Sequence, residues 1–112
     1  MVDANQPGRT GQLASGFAAL GDPTRLALLT TLTDGQARSI TALTEGFKLS
    51  RQAISKHLRI LEAEQLLACQ RVGREMRFAL RPERLNDLES FLQAVSHQWD
   101  LRLERLRDHV EG

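Results

Sequence analysis

The chain has 112 residues, of which 41% are hydrophobic, 26% are charged and 4% are aromatic, and its formal net charge is +1. This composition is typical of one globular domain whose single core is built mainly from aliphatic side chains. No apolar run approaches the roughly 20 residues of a membrane span, and residues 1–11 contain no apolar signal segment. The lone Cys69 excludes an internal disulfide, so we expect a cytoplasmic protein that does not enter the membrane.

Basic residues are concentrated in the middle of the chain. Residues 48–82 contain eight basic and three acidic side chains, a net charge of +5. Residues 1–47 contain three basic and four acidic side chains, and residues 83–112 contain four and seven, so these segments carry −1 and −3. The local positive charge predicts an anionic partner for the middle segment.

The N-terminal part of the chain divides into a tail and a short helix. Residues 1–11 are polar and rich in proline and glycine, which predicts a disordered tail before a folded domain at residues 12–112. Apolar side chains then recur at i, i+4 and i+7, which predicts a first helix on Leu13, Phe17 and Leu20.

Two further helices are marked by their caps. Asp22 followed by Pro23 is a strong helix start, and the Asp-Gly turn at residues 34–35 ends this second helix. Ser39 can cap a third helix. Residues 46–49 then have the length of the short turn in a helix-turn-helix.

The basic segment opens with an amphipathic helix that finishes near Glu64 and for which Ser50 is the predicted N-cap. One face carries Ile54, Leu58 and Leu61. The opposite face has no carboxylate and carries cations, an amide and a hydroxyl: Arg51, Gln52, Ser55, Lys56 and Arg59. These side chains bond to phosphates and base edges, so the pattern predicts a DNA recognition helix, with an ordinary surface helix as the alternative.

A β-hairpin and a long helix follow. Alternating residues predict strands at residues 66–72 and 76–80, with arginines around the tip at Arg71, Arg74 and Arg77. The order of elements predicts a mainly α fold with a two-stranded β-hairpin wing, which is a winged helix-turn-helix. The wing supplies a second set of phosphate-binding cations.

The last helix is predicted at about residues 82–110 and has an apolar stripe close to a heptad seam. A small core cannot cover such a helix, so we predict a dimer through the first and last helices, with a helix folded back on its own domain as the alternative. A two-fold dimer would place paired recognition helices on half-sites about 34 Å apart. The predicted interface residues are Leu13, Phe17, Leu88, Leu92, Val95, Trp99, Leu103 and Leu106.

Three segments resemble the ArsR/SmtB-type bacterial transcriptional regulators. Residues 17–26, FAALGDPTRL, resemble the family's ALGDPTRLxIL opening, and residues 49–61, LSRQAISKHLRIL, resemble its recognition helix, LSQPAVSKHLKVL. Residues 65–67 and 71–74 are similar to its AGLV…RREGR wing. The resemblance implies a homodimeric repressor that occludes a promoter and often regulates its own expression.

Many members of this family sense metals or arsenicals. A soft-ion site on the third helix requires a Cys-x-Cys pair, but residues 39–46 contain no cysteine. The family's zinc site uses Asp-x-His followed by His and Glu on the last helix. His97, Asp100, His109 and Glu111 supply the same residue types in a different spacing. We predict no metal or other cofactor, although an intersubunit site on these residues remains an alternative.

Three residues keep two interpretations each. Cys69 fits an inert thiol better than a redox switch. His57 could bond a phosphate or base, or pack at the helix edge. Trp99 fits a dimer anchor better than the wall of a ligand pocket, and the pattern around it resembles the metal-independent branch of the family.

No arrangement of catalytic residues and no glycine-rich phosphate loop stands out, so we do not expect an enzyme. We predict a sequence-specific DNA-binding regulator, a homodimeric repressor of its own operon acting on a palindromic double-stranded operator. The alternatives are a repressor that responds to a metal, an oxidant or an unknown small molecule, and a protein-interaction module without DNA binding. The predicted DNA-binding residues are Ser50, Arg51, Gln52, Ser55, Lys56, His57, Arg59, Arg71, Arg74 and Arg77.

Overall fold

The computed structural model describes residues 7–111, which form five helices and three strands. The elements are α1 (Pro7–Leu20), α2 (Pro23–Thr31), β1 (Arg38–Ser39), α3 (Ile40–Thr44), α4 (Arg51–Ala63), β2 (Leu67–Val72), β3 (Glu75–Leu80) and α5 (Pro82–Glu111). The predicted winged helix-turn-helix is confirmed, with α3 and α4 as the helix pair and β2 and β3 as the wing.

Three of the helices begin at the caps that the sequence predicts. At Asp22, Ser39 and Ser50 a side-chain oxygen accepts a hydrogen bond from the backbone N–H three residues later, at 3.0, 3.1 and 3.1 Å. Each bond satisfies a donor that a helix start would otherwise leave without a partner. The start of the recognition helix is therefore fixed by the local sequence.

The chain leaves α4 through a left-handed residue. Gln65 has a φ of 61°, and its N–H donates to the Glu62 carbonyl at 2.9 Å. The next N–H, of Leu66, donates to the Leu61 carbonyl at 2.9 Å. These two backbone hydrogen bonds form a Schellman motif, which turns the chain directly into the first strand of the wing.

The sheet has three strands rather than the two that the sequence predicts. Its order is β1-β3-β2, and β1 pairs with β3 through Arg38 opposite Phe78 and Ser39 opposite Arg77. The prediction missed β1 because a two-residue strand is too short to show an alternating pattern. The wing hairpin is confirmed, and Gly73, with a φ of 64°, supplies the positive φ that its two-residue turn needs.

The first helix begins earlier than predicted. It starts at Pro7, because proline is readily accepted in the first turn of a helix. Arg9 then pairs with Asp87 of α5 at 3.2 Å. Residues 7–11 are thus helical and not part of a disordered tail, whereas the prediction for residues 1–6 lies outside the described part of the chain.

The core is aliphatic, and among the described residues no polar or charged side chain is buried. It consists of Leu13, Ala19, Leu28, Leu29, Leu32, Leu43, Ile54, Leu58, Leu61, Leu66, Leu67, Phe78 and Leu88. No helix between residues 7 and 111 is long and apolar enough to span a bilayer.

Two of the residues predicted for the dimer interface belong to the core of the single chain instead. Leu13 and Leu88 are 4% and 2% exposed, and both pack inside the protomer. Phe17 is half-buried, and its ring centroid lies 5.9 Å from that of Phe91 in the same chain. A helical stripe shows which residues share a face, but it does not show which part of that face the protomer itself covers.

The rest of the predicted stripe is exposed. Beyond Phe91 the side chains of α5 are exposed wherever their burial is described. We call the five predicted interface residues in this region the apolar stripe: Leu92, Val95, Trp99, Leu103 and Leu106, which are between 42% and 59% exposed.

Candidate nucleic-acid interface

The recognition helix α4 docks by its apolar face and leaves its polar face outside. Ile54, Leu58 and Leu61 are each 0% exposed. Because these three residues fix the rotation of the helix, the opposite face projects from the protein. Arg51, Gln52, Lys56 and Arg59 are exposed there, and Ser55 is half-buried.

The cations on this face are not neutralised within the protomer. Over residues 7–111, Arg51, Lys56 and Arg59 have no ion pair or hydrogen bond to another side chain. Uncompensated cations beside an amide and a hydroxyl can accept phosphate and base-edge contacts. The face therefore has both the charge and the donors that a DNA groove requires.

The exposed face of α4 and the neighbouring helix α3 together line a shallow groove. A depression of about 450 Å³ is lined by the exposed polar residues of α4 and by one residue of α3: Ile40, Arg51, Gln52, Ser55, Lys56 and Arg59. Five of the predicted DNA-binding residues thus share one surface.

The tip of the wing reaches the same surface. A second depression, of about 170 Å³, is lined by Ser39, Ile40, Thr41, Arg51, Arg74, Glu75 and Met76. It places the turn residue Arg74 and the first residue of α4, Arg51, on either side of one hollow. We call the exposed face of α4 together with Arg71 and Arg74 the basic surface.

The three wing arginines are not equivalent. Arg71 lies opposite Met76 in the hairpin, and Arg77 lies opposite Gln70, so alternation puts the two arginines on different faces of the sheet. Arg77 Nε also bonds Glu75 Oε2 at 3.1 Å. Arg71 and Arg74 are exposed, and neither has an ion pair within the described residues.

The comparisons with known proteins agree with this geometry. The sequence profile of a helix-turn-helix domain matches residues 20–70. The chain is 33% identical over 92 residues to the HTH-type transcriptional regulator NmtR of Mycobacterium tuberculosis, covering 82% of this chain and 74% of NmtR. The chain belongs to the ArsR/SmtB family.

Two further relatives agree with that assignment. The chain is 36% identical over 77 residues to a transcriptional repressor SmtB homolog of Synechocystis sp., covering 69% of this chain and 58% of that protein. An ArsR-like transcriptional regulator from Rhodococcus sp. RHA1 superposes with a TM-score of 0.78 at 39% identity, covering 90% of this chain and 94% of that one. ArsR/SmtB proteins are transcriptional regulators, and this chain is not an enzyme.

Two of the predicted DNA-binding residues have roles inside this ArsR/SmtB fold. Ser50 Oγ is the acceptor that caps α4, so its hydroxyl hydrogen and one lone pair are left for a partner. His57 Nδ1 lies 3.3 Å from Arg25 Nη1 and 3.8 Å from Asp22 Oδ2. His57 therefore packs at the edge of α4 against α2, and its contact with DNA stays a prediction.

The carboxylate beside His57 is held in its charged form. The Arg25 backbone N–H donates to it, and the charges of Arg25 and His57 add to this effect, so the pKa of Asp22 lies below its ordinary value. Arg25 also donates to the Ala18 and Ala19 carbonyls at the end of α1. The sequence showed Asp22 as a cap but did not show this network.

Sequence reasoning also missed two exposed residues near the basic surface. Lys48 lies in the turn before α4, where it adds a cation, and Thr41 lines the hollow below the wing tip. The positive charge of residues 48–82 was the signal for Lys48, whereas Thr41 is recognisable only once the wing and α3 are placed together.

The residues considered for effector chemistry lie elsewhere. Cys69 is half-buried in β2, where burial and, to a smaller degree, the Glu62 charge raise the pKa of its thiol, which disfavours the reactive thiolate. His97, Asp100 and His109 are exposed on α5. Across residues 7–111 no three His, Cys, Asp or Glu side chains are grouped so that one chain could hold a metal ion.

Proposed function

We propose that this ArsR/SmtB protein is a homodimeric, sequence-specific DNA-binding repressor of its own operon. The observation that carries the proposal is the basic surface, where cations without internal partners lie on a recognition helix and on the wing beside it. This surface is complementary to a DNA groove flanked by phosphates.

The roles of the residues follow from their positions. The N-terminal turns of α4 carry the residues proposed to read bases in the major groove: Arg51, Gln52, Ser55 and Lys56. Arg59 lies less than one turn beyond Lys56, and we assign it to a flanking phosphate together with His57 at the helix edge. Arg71, Arg74 and Arg77 of the wing are assigned to the backbone or minor groove, and Arg77 contributes less because Glu75 already pairs with it.

The proposed dimer rests on the apolar stripe. Trp99 and Leu103 are 58% and 53% exposed, one turn apart on a helix that continues well beyond the core. Leaving these large side chains in water costs free energy that a second copy of α5 would recover, at about 25 cal/mol per Å² of apolar surface buried. The two-fold symmetry of such a dimer predicts a palindromic operator.

Repression and autoregulation are supported by likeness alone. The Synechocystis relative is described as a transcriptional repressor. A dimer of this size bound across a promoter would occlude it, and an operator upstream of the protein's own gene would make the repressor autoregulatory.

We further propose that the chain belongs to the metal-independent branch of its family. The α3 helix has no cysteine to bind a soft ion, and the exposed His97, Asp100 and His109 do not have the family's zinc-site spacing. A thermal shift titration with zinc tests this proposal. A zinc-dependent rise in melting temperature that the double variant His97→Ala/His109→Ala abolishes would contradict it, and would favour a metal-responsive repressor.

A fluorescence-anisotropy titration tests the DNA-binding proposal. The probes are a duplex from the region upstream of the protein's own gene and a random duplex of equal length, each titrated over a salt series. We expect tight binding of two subunits per upstream duplex, weaker binding to random DNA, and an affinity that falls steeply with salt because phosphate contacts release counterions.

The other outcomes separate the parts of the proposal. Equal, weak binding to both duplexes would contradict autoregulation. No binding to either duplex at low salt would contradict DNA binding, and the protein-interaction module would then be the better account.

A further inference from the structure

One arginine links the end of the recognition helix to α1 and α5. Arg84, in the first turns of α5, has a side chain that is only 12% exposed. Its Nε donates to the Glu64 backbone carbonyl at 3.2 Å, and its Nη2 lies 3.4 Å from the Glu64 carboxylate. The same Nη2 donates to the Gln12 carbonyl of α1.

Glu64 is held from a second side as well. It is the C-cap residue of α4, and its carboxylate accepts a hydrogen bond from the Ser15 hydroxyl of α1 at 2.8 Å. The negative end of the α4 dipole therefore faces a guanidinium, which is the favourable arrangement for a helix C-terminus. Asp87 of α5 lies 3.9 Å from Arg84 Nη1 and completes the cluster.

Gly16 of α1 allows the side chain of Arg84 to lie close to that helix. A Cβ placed on Gly16 of α1 would lie 2.8 Å from Arg84 Nη2 and 2.9 Å from Leu88 Cδ2. Both distances are shorter than normal carbon contacts, so a side chain at Gly16 would require Arg84 or Leu88 to move. The helices α1 and α5 thus approach each other closely at Gly16, next to the side chain of Arg84.

We propose that Arg84 is a positioning residue that fixes the direction of the recognition helix relative to α1 and α5. The core packs α4 against α2, α3 and β2, and packs α1 against α2 and α5. The helix α2 belongs to both sets, and Arg84 adds a direct polar link between α5, α4 and α1 through Glu64 and Gln12. A planar guanidinium can serve several fixed acceptors at once, whereas a lysine ammonium on a flexible stem cannot hold the same geometry.

The consequence for DNA rests on the proposed function, but the link itself does not. If α5 carries the dimer contact, the angle between α4 and α5 sets the separation of the two recognition helices. Arg84 would then set the spacing of the half-sites that the dimer accepts without contacting DNA.

Spin labels test the link within one chain. In a Cys69→Ala background of the full chain, labels at Gln52→Cys of α4 and Ala94→Cys of α5 report the distance between the two helices. Both positions are exposed, and Ala94 lies on the side of α5 away from the apolar stripe. Dilution with excess unlabelled protein restricts the signal to pairs within one chain. The matched control for Arg84→Met is Arg81→Met, which removes an arginine whose only side-chain ion pair among the described residues is with Glu83 at 4.0 Å.

We expect one narrow distance in the parent and in Arg81→Met, and a broadened or displaced distance in Arg84→Met. Arg84→Lys should lie between them, and it keeps the test valid if Arg84→Met fails to fold. A distance in Arg84→Met or in folded Arg84→Lys that matches the control would overturn the proposal, even if the melting temperature falls, because Arg84 would then act on stability alone.

A DNA measurement tests the consequence for half-site spacing. A duplex selected by the parent from a random library is compared with the same duplex lengthened by one base pair at its centre. The preference for the selected spacing should shrink in Arg84→Met and not in Arg81→Met. An equal loss of affinity for both duplexes in Arg84→Met would overturn the role of Arg84 in spacing. If the parent selects no duplex, the proposed function is overturned instead. The spin-label distances would then still test whether Arg84 fixes the direction of α4 relative to α5.

Discussion

The helices α4 and α5 are both amphipathic, and the protomer covers them in opposite ways. In α4 the apolar face is buried completely, and the cationic face is left without partners among the described residues. In α5 beyond Phe91 the apolar stripe is left exposed. Each helix therefore has one face that the described part of the chain leaves exposed. The chemistry of that face, cationic in α4 and apolar in α5, indicates what kind of partner would bind it.

Under the proposed function, this difference predicts separate tasks for the two helices. An uncompensated cationic face gains from phosphates, whose contribution depends on salt, whereas an uncovered apolar face gains from removal of water, which depends little on salt. Substitutions on α4 should change DNA binding without changing assembly. Substitutions in the stripe should change assembly first and DNA binding only as a consequence.

The largest expected effect is at the centre of the apolar stripe. Trp99→Ala should weaken dimerisation by about 2–4 kcal/mol, roughly 30-fold to 1,000-fold in dissociation constant, because a large aromatic anchor is removed. Sedimentation equilibrium measures the change. Leu101→Ala is the matched control, since Leu101 is 41% exposed on the opposite side of the same helix. If both variants dimerise like the parent, the stripe is not the interface.

A smaller effect is expected on α4. If Gln52 reads a base, Gln52→Ala should cost about 1–3 kcal/mol on a selected operator and little on random DNA. Anisotropy titrations on both duplexes measure the difference, and sedimentation should show an unchanged dimer. Equal losses on the two duplexes would rule out base reading by Gln52.

The wing should contribute affinity without sequence preference. Arg74→Ala should weaken binding to all sequences alike and lower the slope of log affinity against log salt by about one, because one phosphate contact is lost. Arg81→Ala, which removes a cation outside the basic surface, should leave the slope unchanged. A loss confined to one base position would instead make Arg74 a reader of sequence.

The smallest effect is expected on stability, at the ion pair between Arg38 and Asp34, which is outside the basic surface. The side chain of Arg38 and then the Gln36 backbone N–H donate to Asp34, which lowers the pKa of Asp34 from 3.8 to about 2. A lowered carboxyl pKa stabilises the folded protein above the ordinary pKa, and this contribution is lost as the pH falls through the folded value. Asp34→Asn should therefore be less stable than the parent above pH 3.8, and the difference should vanish towards pH 2.

Urea unfolding over a pH series measures this difference. Glu45→Gln is the control, because Glu45 is exposed and has no side-chain partner within residues 7–111. Operator binding at neutral pH should be unchanged in both variants. A stability difference that persists unchanged below pH 2 would contradict the assigned ion pair.

Much of the fold was predictable because its signals are local. The caps at Asp22, Ser39 and Ser50 and the period change after Gln65 each act within a few residues, and the structure confirms the elements that they mark. The strand β1 was not predictable, since its two residues pair with a strand almost 40 positions away. The early start of α1 depends in part on the distant Asp87, which pairs with Arg9.

The candidate site was predictable as a set of residues, but not as a set of contacts. Periodicity placed Arg51, Lys56 and Arg59 on one face, and the structure shows that face exposed. Periodicity could not show that His57 meets Asp22 and Arg25, because that contact depends on how α2 crosses α4.

The central claim is that the basic surface binds DNA, and amide chemical-shift mapping tests it most directly. Isotopically labelled protein is titrated with the operator duplex, and the shift of each backbone amide is followed. The account predicts the largest changes at residues 39–41, 48–59 and 71–77, with small changes at residues 93–110. Large changes confined to α5, with α4 and the wing unaffected, would contradict it.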